Sequence, residues 1–449
     1  MKRKPLFGGR FNAIAVIGIT LGAGGLFKCA AFAREAFIAS HFGLTAVTDA
    51  YFGMQQFPLS LATFMFGAFA LAFTPAYAQA KSRHGEVEWL PGLVFYGCLI
   101  GAAMMGGMIV FGTPLLRVFS AKPSGELWST LLILSLCHLP IVSIGIWSAV
   151  CIARGQNVWS LTLTGLPYLF MTLVLFGMYA ARALNNLSLP ISMTVGFGIV
   201  GLYSIVRIVW VQKLPGRIEL IAKPWKCDDF RRFMRQLAAS ALENAGYAGN
   251  QILMLYALSR VGTGTLSASN CAMRIGTLGF TLFGLPVAQL VQARLCVVRA
   301  EERTRIFKQW MLLSTVGVAA IGIALFVCRI PIVRLVYLRG KFQNAELNEV
   351  VALLPSWLSY FVVIALNGFV ARYMFIREQG SIFLRRQLWA YGLATAVRFA
   401  FAGHLGGPGI IWSTVAAQSV SFAWNMKSCL KVSAAKETLP GLTAPGEAY

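Results

Sequence analysis

A few ionisable residues sit deep inside long apolar runs, and their types and spacing define the chemistry open to this chain. Lys28, Arg34 and Glu35 share the run 12–40, Asp49 opens the run 49–79, Glu243 lies in 236–259 and Arg274 in 264–293. A charge inside an apolar span is costly and usually faces a cavity or a partner. Lys28 is about 18 Å from the outer end of its run at the helical rise, too far for comfortable snorkelling. It shares a helix face with Glu35, seven residues on, so a cationic cavity and an internal Lys28–Glu35 pair are both open. Arg274 has no acid within one turn. Its guanidinium stays charged in any protein environment, and its planar fork suits phosphate. The readings are an anionic ligand or a structural pair with Glu243 or Asp49. The chemistry implied is electrostatic capture of an anion rather than bond making.

The other polar positions carry blander alternatives. Glu243, Asn244, Asn250 and Gln251 recur at one and two turns, as expected either of a cavity face or of interhelical hydrogen bonding. Asp49 is placed to cap its own helix as readily as to act as a gating charge. His138, beside Pro140, reads as a packing residue ahead of a proton relay. The nine cysteines form no CxxC pair and no zinc-type spacing with histidine, so no metal and no cofactor is expected. GxSxG, Walker, HExxH and strand-bound GxGxxG patterns are all missing, and no catalytic set or enzyme activity is expected.

The elements that position these groups follow from composition. The chain has 449 residues, 57% hydrophobic and only 12% charged, with a mean hydropathy of +0.68. Soluble domains carry about 25% charged residues. Runs of spanning length recur near 12–40, 49–79, 91–117, 127–153, 157–181, 188–212, 236–259, 264–293, 310–337, 347–376, 388–403 and 407–430. They do not alternate as barrel strands do, so an all-α polytopic membrane protein of about twelve spans is expected. The net charge of +23 is concentrated between alternate runs, above all at Lys213, Arg217, Lys223, Lys226, Arg231, Arg232 and Arg235. That is the positive-inside pattern, which places both termini in the cytoplasm and argues against nucleic-acid binding. Contact with anionic membrane lipids fits the same charges. The basic N-terminus reads as the flank of an uncleaved first span.

An internal repeat organises the runs. Thr113-Pro-Leu-Leu-Arg117-Val-Phe matches Ile330-Pro-Ile-Val-Arg334-Leu-Val, 217 residues later. Two parallel six-helix lobes are expected, 1–212 and 236–431, with a basic linker at 213–235 and a disordered tail at 432–449.

Several stretches resemble one family. Ala33-Arg34-Glu35-Ala36-Phe37-Ile38-Ala39-Ser40-His41-Phe42-Gly43, Thr48-Asp49-Ala50-Tyr51-Phe52 and Phe57-Pro58 are similar to the first two helices of MurJ (MviN) proteins. Gly67-Ala68-Phe69 with Ala72-Phe73-Thr74-Pro75 continues the likeness. So do Ala272-Met273-Arg274, Phe283-Gly284-Leu285-Pro286-Val287-Ala288 and the run from Val333 to Phe342. The resemblance implies two six-helix lobes in the V shape of the MOP exporter superfamily, seated in a bacterial inner membrane. It further implies a flippase for an undecaprenyl-pyrophosphate-linked glycan, lipid II in the type case. Under it, Arg34, Arg274 and Lys28 match cavity cations and Asp49 a family aspartate. Together with the buried charges themselves, this makes Lys28, Arg34 and Arg274 the expected pyrophosphate ligands, Glu35, Asp49 and Glu243 the expected charge partners, and Gly22, Gly24, Gly25 and Pro58 the expected hinges. A glycan polymerase or synthase is an implied partner.

Departures from the pattern keep other readings open. Ala62 stands where the family has an arginine, Phe66 replaces a usual acid, and Lys28 replaces an arginine. About twelve spans are present where typical members carry two more. The alternatives are a flippase for an exopolysaccharide or O-antigen-type precursor, a cation-coupled small-molecule exporter, and a non-transporting scaffold of a glycan-synthesis complex. A cation-coupled exporter would prefer buried acids to buried cations in its cavity. The residues expected to face the ligand here, Lys28, Arg34 and Arg274, are cations, which counts against it.

Overall fold

The computed structural model describes residues 10–84, 87, 89–119, 125–154, 156–212, 228–280, 295, 300–338, 342–377 and 379–431. Among these residues there is no β-strand. The helices are α1 (Arg10–Phe42), α2 (Ala46–Met54), α3 (Gln56–Thr63), a π-helical turn (Phe64–Ala68) and α4 (Phe69–His84). Then come α5 (Leu90–Val110), α6 (Gly112–Phe119), α7 (Gly125–Ser135), α8 (His138–Ala153), α9 (Asn157–Ala180) and α10 (Ser188–Gln212). The second half contains α11 (Asp228–Ser259), α12 (Thr265–Gly279), α13 (Ala300–Val327) and α14 (Arg329–Tyr337). It closes with α15 (Asn344–Ile376), α16 (Gly380–Ala400) and α17 (Ala402–Lys431).

Taken with their short breaks, these helices follow the expected spans in order, save that residues 281–293 of the span 264–293 lie outside the described residues. Among the described residues, six stretches are long and apolar enough to cross a bilayer by composition alone, including Leu90–Val110, Gly125–Ala153 and Asn344–Ile376. The candidate site charges lie on α1, α2, α11 and α12. The two repeat segments fall on α6 and α14, each a short helix set off by a break from the long one before it. α11 begins at Asp228, so 228–235, expected as linker, is helical; Asp228 and Arg231 pair one turn apart at 3.4 Å. The tail 432–449 and the rest of the linker, 213–227, lie outside the described residues.

Packing is dense within each half. α9 lies against α1 and α10, and α8 against α4, α5 and α10. In the second half α15 packs on α12, α13 and α17, and α16 on α11 and α17. The halves meet along two lines: α2 and α1 against α12, and α4 with the π-turn against α11. At the first line the chain needs unusual backbone. Gly264, the residue before α12, has φ +89°, and a Cβ there would sit 3.3 Å from the Leu44 carbonyl oxygen. Only glycine combines that conformation with so close an approach to the α1–α2 turn.

Candidate functional site

The buried charges converge on Glu35. α1 carries Arg34 and Glu35, each 2% exposed, at adjacent positions. Arg34 Nη2 donates to Glu35 Oε1, and Arg274 Nε approaches the same oxygen at 3.3 Å. Asn270 Nδ2 donates to Glu35 Oε2 at 3.3 Å. Asn270 and Arg274 are four residues apart on α12 and so share a face. One carboxylate from the first half is therefore held by two side chains of the second.

Two guanidinium groups share a single acid, and the cluster is net positive. Arg34 is further fixed by α9: its Nη1 points at Met171 Sδ, 2.7 Å away, and its Cζ lies 6.0 Å from the Tyr168 ring centre. Arg34 Nε and Arg274 Nε and Nη2 are buried with no hydrogen-bond acceptor among the described residues. The Arg274–Glu35 contact is thus ionic and lacks hydrogen-bond alignment. Buried charged donors are costly when unmet. An anion with several oxygens would satisfy more of them than one carboxylate does.

Asp49 works differently from a cap of its own helix. Thr45 and Thr48 form the capping box of α2, leaving the Asp49 carboxylate free to reach across. It accepts from the backbone N–H of Gly264 and of Ser267, both at 2.8 Å, and from Ser267 Oγ. Asp49 therefore caps α12, where the helix dipole favours an anion. Two more acids support this junction. Glu346 Oε1 accepts from the Leu44 N–H at 3.2 Å, and Thr265 Oγ1 donates to Glu349 at 2.7 Å.

The remaining expected site residues are placed less tightly. Lys28 lies on α1 within the helix that bears Arg34, as does Gly24, but the Lys28 side chain is outside the described residues. Gly22 and Gly25 lie in the unbroken α1, and Pro58 in the first turn of α3, just past the break at Gln55. Glu243 is half-buried on α11, and among the described residues it pairs with neither Arg34 nor Arg274. The acid at Arg274 is thus Glu35, not Glu243 or Asp49. Asn250 and Gln251 make interhelical hydrogen bonds, to Arg398 and Tyr360. His138 packs buried, with Nδ1 2.7 Å from the Ser135 carbonyl. Asn270 escaped the sequence reading because an asparagine in a Ser-rich turn carries no signal of its contact.

The described residues form an all-helical bundle with buried charges where its first and second halves meet, the architecture of a polytopic membrane protein. The structure resembles "Lipid II flippase MurJ, inward closed conformation" with a TM-score of 0.72 at 17% identity, covering 92% of this chain and 87% of that one. It also resembles an inward-facing multidrug resistance MATE family transporter of the MOP superfamily, TM-score 0.71 at 11% identity, covering 94% and 100%. The family profile described as "Lipid II flippase MurJ" matches residues 38–437, and the chain belongs to that family. A curated relative, "Probable lipid II flippase MurJ" of Aquifex aeolicus (strain VF5), is 24% identical over 336 residues. That alignment covers 70% of this chain and 63% of the relative's length.

Proposed function

We propose that this protein moves a polyprenyl-diphosphate-linked glycan precursor, lipid II or a related lipid-linked oligosaccharide, from the cytoplasmic to the periplasmic leaflet of a bacterial inner membrane by alternating access. One observation carries the reading. Arg34 and Arg274, on helices from opposite halves, share one buried carboxylate and still hold donors without acceptors. Guanidinium groups in a water-poor site bind phosphate oxygens strongly and with geometric preference.

The mechanism is an exchange of anions. In the empty state Glu35 neutralises part of the cluster and holds α1 to α12. A diphosphate brings more charge and more oxygens, takes Arg34 and Arg274, and leaves Glu35 with Asn270. Lys28, seven residues before Glu35 on α1, is the third cation assigned to this binding role by the sequence. The polyprenyl tail stays in lipid while the head passes between the halves. With α12's grip on Glu35 relaxed, the Asp49 junction is free to part, and the glycines of α1 and Pro58 allow the helices to bend. The two halves, 1–212 and 236–431, act as the rocking lobes, with both termini cytoplasmic. A glycan polymerase that consumes the flipped lipid is the natural partner.

A second reading has its own observation. Ala62, where the family resemblance expects an arginine, is 3% exposed and packed in the core of the first half. One phosphate contact is missing there, which favours a related lipid-linked glycan over lipid II itself.

The test is flipping of a fluorescent polyprenyl-diphosphate glycan in proteoliposomes. Arg274→Ala is expected to lower the rate by at least about tenfold, the scale of one lost charged contact. An unchanged rate in the folded variant would sink the anion-exchange reading.

A further inference from the structure

The second half contains a buried cation that the flipping site does not use. Arg398, in the last turn of α16, is 0% exposed. Its Nη2 donates to Asn250 Oδ1 at 2.6 Å and to Thr414 Oγ1 at 2.8 Å. Its Nη1 donates to the Asn250 carbonyl at 3.2 Å and its Nε to Ser413 Oγ at 3.3 Å. The acceptors come from α11 and α17, and every one is a neutral oxygen. Among the described residues no carboxylate lies within ion-pair distance of this guanidinium.

The two hydroxyls are oriented to receive a cation. Ser413 Oγ spends its proton on the Ile410 carbonyl at 2.7 Å, and Thr414 Oγ1 points its proton toward Met254 Sδ at 3.9 Å. Their lone pairs are left for Arg398. A cluster of neutral oxygens with committed protons is the donor set of a hard-cation site, since such cations take carbonyl and hydroxyl oxygen. Here the occupant is covalently attached. An arginine is the one side chain certain to hold its charge in such a place. It also extends along α16 toward the mid-plane rather than out to the interface, because helix side chains lean toward the N-terminus.

We propose that Arg398 is a tethered cation: its guanidinium fills an oxygen-lined site between α11, α16 and α17, so that these helices move as one body without a soluble cation bound there. The inference is independent of the substrate, because it concerns what occupies the second half and not what Arg34 and Arg274 bind. It predicts that removing the side chain converts a filled site into an empty one that small cations can enter.

The experiment is thermal unfolding of the purified full chain in sodium, potassium, guanidinium or N-methylglucamine chloride at equal, low concentrations. The wild-type Tm is expected to be the same in all four. Arg398→Ala is expected to lose roughly 10 °C in N-methylglucamine and to regain most of it, saturably, in guanidinium or sodium. Adding Asn250→Ala should abolish the recovery. If Arg398→Ala does not fold, Arg398→Gln, which keeps much of the bulk and loses the charge, takes its place and should show a smaller loss with saturable recovery in sodium. A variant whose Tm ignores every small cation would overturn the proposal, as would a wild-type protein saturably stabilised by sodium.

Discussion

The two lines along which the halves meet are built from opposite materials. At one, acids reach across to backbone and hydroxyl donors: Asp49 to Gly264 and Ser267, and Glu346 to Leu44. At the other, rings interlock. Trp89 stacks on Phe233 with centroids 5.4 Å apart and planes at 15°, and Phe73 meets both rings edge-on. Phe69 and Phe230 complete the cluster. A hydrogen-bonded junction can exchange its partners for water at small net cost, because each bond is worth about 1 kcal/mol net. A buried ring cluster has nothing to exchange with, since opening it exposes apolar area outright. The polar line is therefore the one suited to part and the aromatic line the one suited to persist as a pivot.

The comparison breaks most severely if the rings are removed. Trp89→Ala should cost ~3–5 kcal/mol of stability, read as a lower Tm, while hydrogen-exchange protection at the start of α12 stays as in wild type. Equal loss of protection at both lines would make them one cooperative unit and erase the distinction. The polar line should answer in the reverse sense. Asp49→Ala is expected to cost about 2–3 kcal/mol locally, seen as faster exchange of the Gly264 and Ser267 amides with little change in global Tm. Slower exchange at those amides, or a Tm loss as large as that of Trp89→Ala, would contradict the assignment.

The sequence made some of this legible and hid the rest for physical reasons. Arg34, Glu35 and Arg274 stand out because each is charged inside an apolar run, and the cost of burying charge makes such residues conspicuous. Their meeting does not stand out. Glu35 and Arg274 are 239 positions apart, and helical spacing says nothing about contacts between α1 and α12. The same limit leaves Asp49 divided in the sequence between a cap for α2 and a gating charge, whereas Thr45 caps α2 and Asp49 reaches across to α12. Arg398 went unremarked because it lies near the end of its run, where an arginine ordinarily snorkels to the interface. Its burial depends on Asn250 and Thr414, which arrive from other helices. The order of the helices, by contrast, follows from hydropathy alone, because in a bilayer each span must satisfy its own backbone.

The central claim is that Glu35 holds the place of a substrate diphosphate between Arg34 and Arg274. Native mass spectrometry of protein purified in mild detergent tests it most directly, comparing wild type, Arg274→Ala and Glu35→Gln. The account predicts a co-purifying polyprenyl-diphosphate species on wild type, its loss from Arg274→Ala, and retention by Glu35→Gln in a higher bound fraction, since the internal competitor is gone. Equal retention by all three folded proteins, or no such lipid on any of them, would contradict it.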